Sequence, residues 1–284
     1  MTGIVLVHLS DLHFGSVAEL DALEDALRFI VELAPSATVI SGDLTMRARH
    51  GEFAAARLYI DRLKLTAPVL AVPGNHDTQW WQSPLTLLGN SRMHYKYRRW
   101  FGQDLTPVLQ IPGAVIAGAL SANGVAPGSL SRNPNDIAVK GNLPVSETRR
   151  LTKIFEAAPA GAYRVAVLHH NVLPGRLSGR MGLAHWRSAG QRLVATGADL
   201  VLCGHDHEEG AGLLNNQVVV STANTLSTRT RGARPASFNV IRLQSDRIEI
   251  EFQVWDTAAR RFASSERHAF ARPEHSAVRT AARR

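Results

Sequence analysis

Five short apolar runs divide the chain: Ile4-Val5-Leu6-Val7-His8-Leu9, Ala37 to Ser41, Val69 to Val72, Tyr163 to Leu168, and Asp199 to Cys203. Continuous runs of this length read as strands covered on both faces, as in a parallel sheet. Helical spacing lies between them. Residues 19–33 repeat Leu20, Leu23, Leu27, Ile30 and Val31, and Pro35 closes the segment. Residues from about 50 to 65 carry Phe53, Ala56, Leu58, Ile60 and Leu63. The order β-α-β-α-β predicts a parallel sheet with right-handed crossovers. Further on, the pattern predicts a helix over 91–101, strands near 107–111 and 113–120, and helices at 146–157 and near 183–196. From 211 the period changes to alternation over 212–214, 217–222, 236–243, 247–255 and 261–270, which reads as antiparallel strands.

Each buried run ends in polar chemistry. The ends are Ser10-Asp11-Leu12-His13, Gly42-Asp43, Pro73-Gly74-Asn75-His76-Asp77, His169-His170-Asn171 and Gly204-His205-Asp206-His207. In open α/β sheets ligands bind beyond the carboxyl ends of the strands. Gly74 permits a sharp turn that delivers an amide, an imidazole and a carboxylate together. Asp11 and His13 stand two apart, so in extended chain they share a side; His205 and His207 repeat the spacing. One such end alone is a solvated turn. Five together form a mixed oxygen and nitrogen donor set that suits Mn²⁺, Fe or Zn²⁺ better than Ca²⁺. The donors are too many for one tetrahedral ion and about enough for two, and Asp43, alone on its strand, suits a bridge between them.

The blocks Asp11-x-His13, Gly42-Asp43, Gly74-Asn75-His76-Asp77, His169 and Gly204-His205-x-His207 resemble the calcineurin-like metallophosphoesterases. The likeness is nearest to the bacterial members of the class III cyclic-nucleotide phosphodiesterase type, and it runs in order over about residues 4 to 208. It implies an α/β fold, a four-layer α/β/β/α sandwich of two mixed sheets flanked by helices, over residues 1–270. It also implies a dinuclear site: Asp11, His13 and His207 on one metal, Asn75, His169 and His205 on the other, Asp43 bridging. His76 is expected to contact the scissile phosphate and assist the leaving group, with Asp77 orienting it. His169, expected as the first residue beyond its strand, is preferred to His170, which is expected to face substrate or solvent. The implied activity is phosphodiester hydrolysis. Two cations ~3.5–4 Å apart clamp the phosphate and acidify a bridging water, which attacks in line. A small substrate is expected, a cyclic nucleotide or a glycerophosphodiester. The subgroup often follows its double His with prolines, whereas this chain reads Asn171-Val172-Leu173-Pro174, which weakens cyclic AMP as the substrate. The alternatives are a metal-dependent nuclease or a phosphomonoesterase. A non-catalytic scaffold of the same fold ranks last, because every ligand position and His76 are intact.

Composition adds bounds. The chain has 284 residues, 45% of them apolar, enough for a sizeable core. No apolar run reaches the ~18 residues of a membrane span. Met1-Thr2-Gly3 leads directly into a strand without a signal-peptide layout, so a cytoplasmic location is expected. Cys203, the single cysteine, lies inside a strand and reads as a core residue. The formal charge of +8 favours anionic partners in general. Basic clusters stand near the site strands: Arg47 and Arg49, Arg176 and Arg180, Arg187, and Arg229 with Arg231. Arg47, Arg176 and His170 are the expected substrate contacts. Residues 91–101 interleave Arg92, Lys96, Arg98 and Arg99 with Tyr95, Tyr97, Trp100 and Phe101. Such a stretch can hold nucleic acid; an amphipathic helix with cationic stems lying on apolar surface is favoured. Trp80 and Trp81 are expected beneath the Asn75 loop, residues 121–145 form a long loop, and the basic tail 271–284 is expected to be disordered. The oligomeric state is not specified by the sequence.

Overall fold

Strand β1 (Ile4–Leu9) sits at the centre and serves two cores. Leu6 faces inward between two sheets, while Val7 and Leu9 face a layer of helices. This alternation is why its apolar run is unbroken. The computed structural model describes residues 3–78, 93–124, 140–232 and 234–273. The expectations for Trp80, Trp81, Arg92, most of the 121–145 loop and nearly all of the tail lie outside the described residues.

The elements after β1 are α1 (Leu20–Leu33), β2 (Ala37–Ile40), α2 (His50–Lys64), β3 (Val69–Ala71), α3 (Tyr95–Phe101), β4 (Val108–Ile111), β5 (Ala114–Gly118), α4 (Val145–Glu156), β6 (Tyr163–His170), α5 (Trp186–Val194), β7 (Leu200–Gly204), β8 (Gly210–Leu214), β9 (Val218–Thr222), β10 (Ser237–Leu243), β11 (Arg247–Asp256) and β12 (Arg261–Ala271). They form two six-stranded sheets, ordered β12-β11-β10-β1-β2-β3 and β4-β5-β6-β7-β9-β8. Both sheets are mixed. β1, β2 and β3 run parallel, and β10 joins β1 antiparallel. β5, β6, β7 and β9 also run parallel. The expectation that every strand after 211 is antiparallel fails at β9, which pairs parallel with β7 and antiparallel only with β8.

Three apolar layers hold the sandwich together. Leu6, Val39, Ile116, Val167 and Leu202 meet between the sheets. Leu23, Leu27, Ile30, Phe53 and Ile60 pack α1 and α2 on the first sheet. Leu151, Phe155 and Leu193 pack α4 and α5 on the second, where Cys203 is buried as expected. Leu20, Val31 and Leu58 fit the helical period but point to solvent. In α3, Tyr97 is buried against Phe53 and Phe101, and Lys96 donates to the Ala48 carbonyl at 3.0 Å, so this helix lies on the core by its aromatic face. Among the described residues no helix is long and apolar enough to cross a membrane.

Candidate metal centre

The carboxyl ends of β1, β2, β3, β6 and β7 converge at one edge. The loops after β1 and β2 are zipped together by backbone bonds from Asp11, His13 and Phe14 to Gly42, Asp43 and Leu44, at 3.0, 3.0 and 2.9 Å. Asp11, His13, Asp43, His205 and His207 all have positive φ, between 46° and 78°. Left-handed backbone costs energy in ordinary residues and clusters at functional sites. It also corrects the expectation for Asp11 and His13: they converge through left-handed turns, not through the alternation of extended chain.

Two donor sets result. In the first, His207 Nε2 lies 3.1 Å and His13 Nε2 3.6 Å from Asp11 Oδ1, and the two imidazole nitrogens are 3.0 Å apart. In the second, Asn75 Oδ1 stands 3.0 Å from His169 Nε2 and 3.0 Å from His205 Nδ1. Asp43 Oδ2 reaches both sets, 3.9 Å from His13 Nε2 and 3.3 Å from His169 Nε2. Its other oxygen accepts the His76 N–H at 2.7 Å. Asp11 shows the same division of labour. Oδ2 accepts the Ser10 hydroxyl and the His205 N–H, while Oδ1 is buried without a hydrogen-bond donor and faces the two imidazoles. A buried, unsatisfied carboxylate oxygen is costly without a cation. The residues therefore fit two metal ions.

Supporting bonds aim the ligands. His169 Nδ1 donates to the Ser41 carbonyl at 2.9 Å, which turns the Nε2 lone pair into the site, and His207 Nδ1 does the same toward the Arg229 carbonyl. Electrostatics follow from burial and crowding. Burial pushes the Asp11 carboxyl up, but His207, His13 and His169 outweigh it and hold it well below the usual carboxylate range. Burial disfavours a proton on His169, but Asp43 prevails and raises it to about 9. Burial and then the neighbouring His169 lower His205 to about 3.

His76 projects beside this pair. Its Nδ1 lies 2.7 Å from the Met46 carbonyl, which can only accept, and its Nε2 lies 3.3 Å from Arg229 Nη1, which can only donate. These partners assign a neutral ring protonated on Nδ1, with the Nε2 lone pair toward the guanidinium. Asp77 does not orient His76 as expected. Its carboxylate is turned inward and accepts the N–H groups of Leu44, Thr45 and Gly74 and the Thr45 hydroxyl, so it ties the β2 and β3 loops together.

The remaining expectations divide. His169, not His170, joins Asn75 and Asp43. Both histidines end β6 itself, and neither lies beyond it. His170 is buried, with Nδ1 2.9 Å from the Ser121 hydroxyl and its ring 4.4 Å from that of His205. Gly141 packs against it, where a Cβ would fall 2.2 Å from His170 Nδ1, so the ring faces neither solvent nor the described lining of the cleft. Arg176 is also misassigned: it is exposed and pairs with Glu266 at 3.3 Å. Arg47 is exposed, and neither arginine lines the cleft over the donors. That cleft, about 510 Å³, is walled instead by Lys140, Arg180, Arg229, Arg231 and Trp186. The sequence offered Arg180, Arg229 and Arg231 as members of basic clusters, but nothing in it ranked them above Arg47 or Arg176. Lys140 and Trp186 carried no signal.

The profile of the calcineurin-like phosphoesterases matches residues 4–209. No curated protein matches the chain in sequence. Among solved structures, a dimetal phosphatase from Danio rerio superposes with a TM-score of 0.62 at 14% identity, covering 95% of this chain and 99% of that one. Purple acid phosphatase PPD1 from yellow lupin (Lupinus luteus) gives 0.66 at 10% identity, covering 96% of this chain and 54% of that one. GAP50, the anchor in the inner membrane complex of Plasmodium, gives 0.59 at 16% identity, with 97% and 91% covered. At these identities the likeness is one of fold.

Proposed function

Because the chain belongs to the calcineurin-like phosphoesterase family, we propose that it is a dinuclear metal-dependent hydrolase of a small phosphodiester. The observation that carries this reading is the position of Asp43 Oδ2, within 3.9 Å of one donor set and 3.3 Å of the other. Mn²⁺ or Fe are the favoured ions, with Zn²⁺ next, since the donors mix imidazole, amide and carboxylate. Two such cations would acidify a water and neutralise charge on the phosphate oxygens.

The chain's own residues supply the rest. Asp11 and Asp43 provide the negative charge that retains the ions, and the Ser41 and Arg229 carbonyls fix the imidazoles that complete their shells. Arg229 holds a guanidinium at the open side, where it can take a phosphate oxygen. A phosphate that engages Arg229 releases His76 Nε2 from its 3.3 Å contact, so that Nε2 can take up the proton lost by the attacking water and deliver it to the leaving oxygen. Met46 keeps the ring in place meanwhile.

A phosphomonoesterase is the second reading, favoured by the phosphatase names of two of the similar structures. A scaffold role, as the anchor GAP50 suggests, is disfavoured by the complete donor set. The test is hydrolysis of bis-p-nitrophenyl phosphate against p-nitrophenyl phosphate, after loading with Mn²⁺, Fe²⁺ or Zn²⁺ and after chelation. Metal-dependent preference for the diester is expected. Preference for the monoester would select the second reading, and inactivity on both with two metals bound would reject hydrolysis.

A further inference from the structure

We propose that the cleft carries a second anion subsite, formed by Arg180 with Lys140 of its lining, so that the preferred substrate is a phosphodiester bearing another negative group, such as a phosphate, away from the scissile phosphorus. This rests on the hydrolase reading above and narrows its substrate class.

Among the described residues, Lys140, Arg180, Arg229 and Arg231 are the cations that line the cleft. Arg231 is already neutralised, with Nη2 3.0 Å from Asp206 Oδ1 and Nε 3.5 Å from Glu208 Oε1. Arg229 stands against His76 beside the donors. Arg180 and Lys140 pair with no carboxylate among the described residues. One phosphate at the metal centre accounts for Arg229 and leaves these two without an anion.

The segment carrying Arg180 is held far more firmly than a solvated loop requires. Glu208, 2% exposed, accepts the N–H groups of Leu177 and Ser178 at 2.7 and 2.9 Å. Asp206, 3% exposed, accepts the Ser178 hydroxyl, which in turn accepts the Arg180 N–H at 3.0 Å. Asn171 donates to the Arg180 carbonyl at 2.9 Å, so the arginine backbone is bonded at both its N–H and its C=O. Gly182 packs directly on that amide; a Cβ there would fall 2.2 Å from Asn171 Oδ1. Burying carboxylates is costly unless they are fully bonded, and here their bonds are shared between this loop and Arg231. The run His205-Asp206-His207-Glu208 thus serves two purposes in alternation. Its histidines are candidate metal donors, and its carboxylates hold the Arg180 loop and Arg231. The spacing from scissile phosphorus to Arg180 is therefore set by one short, rigid segment, which is what selection by distance between two anions needs. A cyclic nucleotide, with a single negative charge, would leave Arg180 unused.

The test compares bis-p-nitrophenyl phosphate, thymidine 5′-(p-nitrophenyl phosphate) and the same nucleotide ester carrying a 3′-phosphate, on metal-loaded enzyme. The 3′-phosphorylated ester should exceed its parent in kcat/KM by about tenfold or more, the effect of one charge-assisted contact, mainly through KM and decreasingly with salt. Arg180→Ala should bring that ratio near one, and Arg180→Lys should restore part of it. A ratio near one in the wild type, or one that persists in Arg180→Ala, overturns the subsite. If none of the three esters is hydrolysed, the hydrolase reading has failed, and calorimetry decides the subsite alone. Thymidine 3′,5′-bisphosphate should then bind about tenfold tighter than thymidine 5′-monophosphate to wild type and equally to Arg180→Ala. Equal affinities in the wild type overturn it.

Discussion

Gly74→Ala tests the metal centre without substituting any of the proposed ligands. A Cβ on Gly74 would stand 2.1 Å from Asp43 Oδ1 and 2.3 Å from the Asp43 backbone nitrogen. The first separation is roughly 1.4 Å short of the ~3.5 Å at which non-bonded atoms come to rest, and the second atom is backbone, which cannot rotate away. Asp43 must move. It then loses the 2.7 Å bond from His76 N–H, and Oδ2 leaves its place between His13 and His169. Overpacking and a lost charge-assisted bond together cost about 3 kcal/mol, a fall of roughly 6–12 °C in melting temperature for a chain of this size. A displacement of about 1 Å at a catalytic group costs ~10²-fold in turnover. The assay is metal content by elemental analysis, melting with and without chelator, and hydrolysis of bis-p-nitrophenyl phosphate. Both ions should be lost, and the melting temperature should fall even after chelation, because the clash does not need metal. Gly51→Ala is the control. It lies in α2 with nothing within 4 Å of the added methyl, and should be slightly stabilised. Two metals retained and turnover within about threefold in Gly74→Ala, where ~10²-fold loss is expected, would refute the reasoning.

Asp43→Asn should lose both ions and Asp11→Asn chiefly one, read by elemental analysis; equal retention in the two variants would reject Asp43 as the bridge. His76→Ala should keep both metals and lower turnover by ~10²–10⁴-fold, more for an alkoxide leaving group than for p-nitrophenolate, and equal losses on both would remove the proton-transfer role. Glu251 gives a pH signature far from the site. Burial opposes its charge, but Ser264, Arg242 and Arg267 outweigh burial and hold its carboxyl at about 2, below its ordinary 4.5. Its stabilisation is therefore complete above 4.5 and lost as pH falls toward about 2. Urea midpoints of wild type should drop across that window while those of Glu251→Gln change less, and parallel curves would contradict the assignment.

The parallel order of the early strands, the helices between them and the donors at five strand ends were legible because buried strands leave unbroken apolar runs and the polar residues that interrupt them stand at fixed places. A one-dimensional pattern carries that much. It did not carry the turn geometry. Asp11 and His13 were expected to converge as alternate residues of extended chain, but left-handed backbone brings them together, held by the bonds from the β1 loop to Gly42 and Asp43. Gly74 was expected for its freedom of angle; its φ is not positive, and what it supplies is room for Asp43. Asp77 was legible as a site residue but not as the tie between two loops, since its partners across the tie, Leu44 and Thr45, lie 33 and 32 residues away. The surface cations were beyond reach for the same reason. Arg176 and Arg180 stand four apart in one loop, and only the bonds from Asp206, Glu208 and Asn171 turn one to the cleft and leave the other to Glu266. Ligand identity is local chemistry written in residue type; which side chain faces the substrate depends on long-range bonds that residue type does not encode.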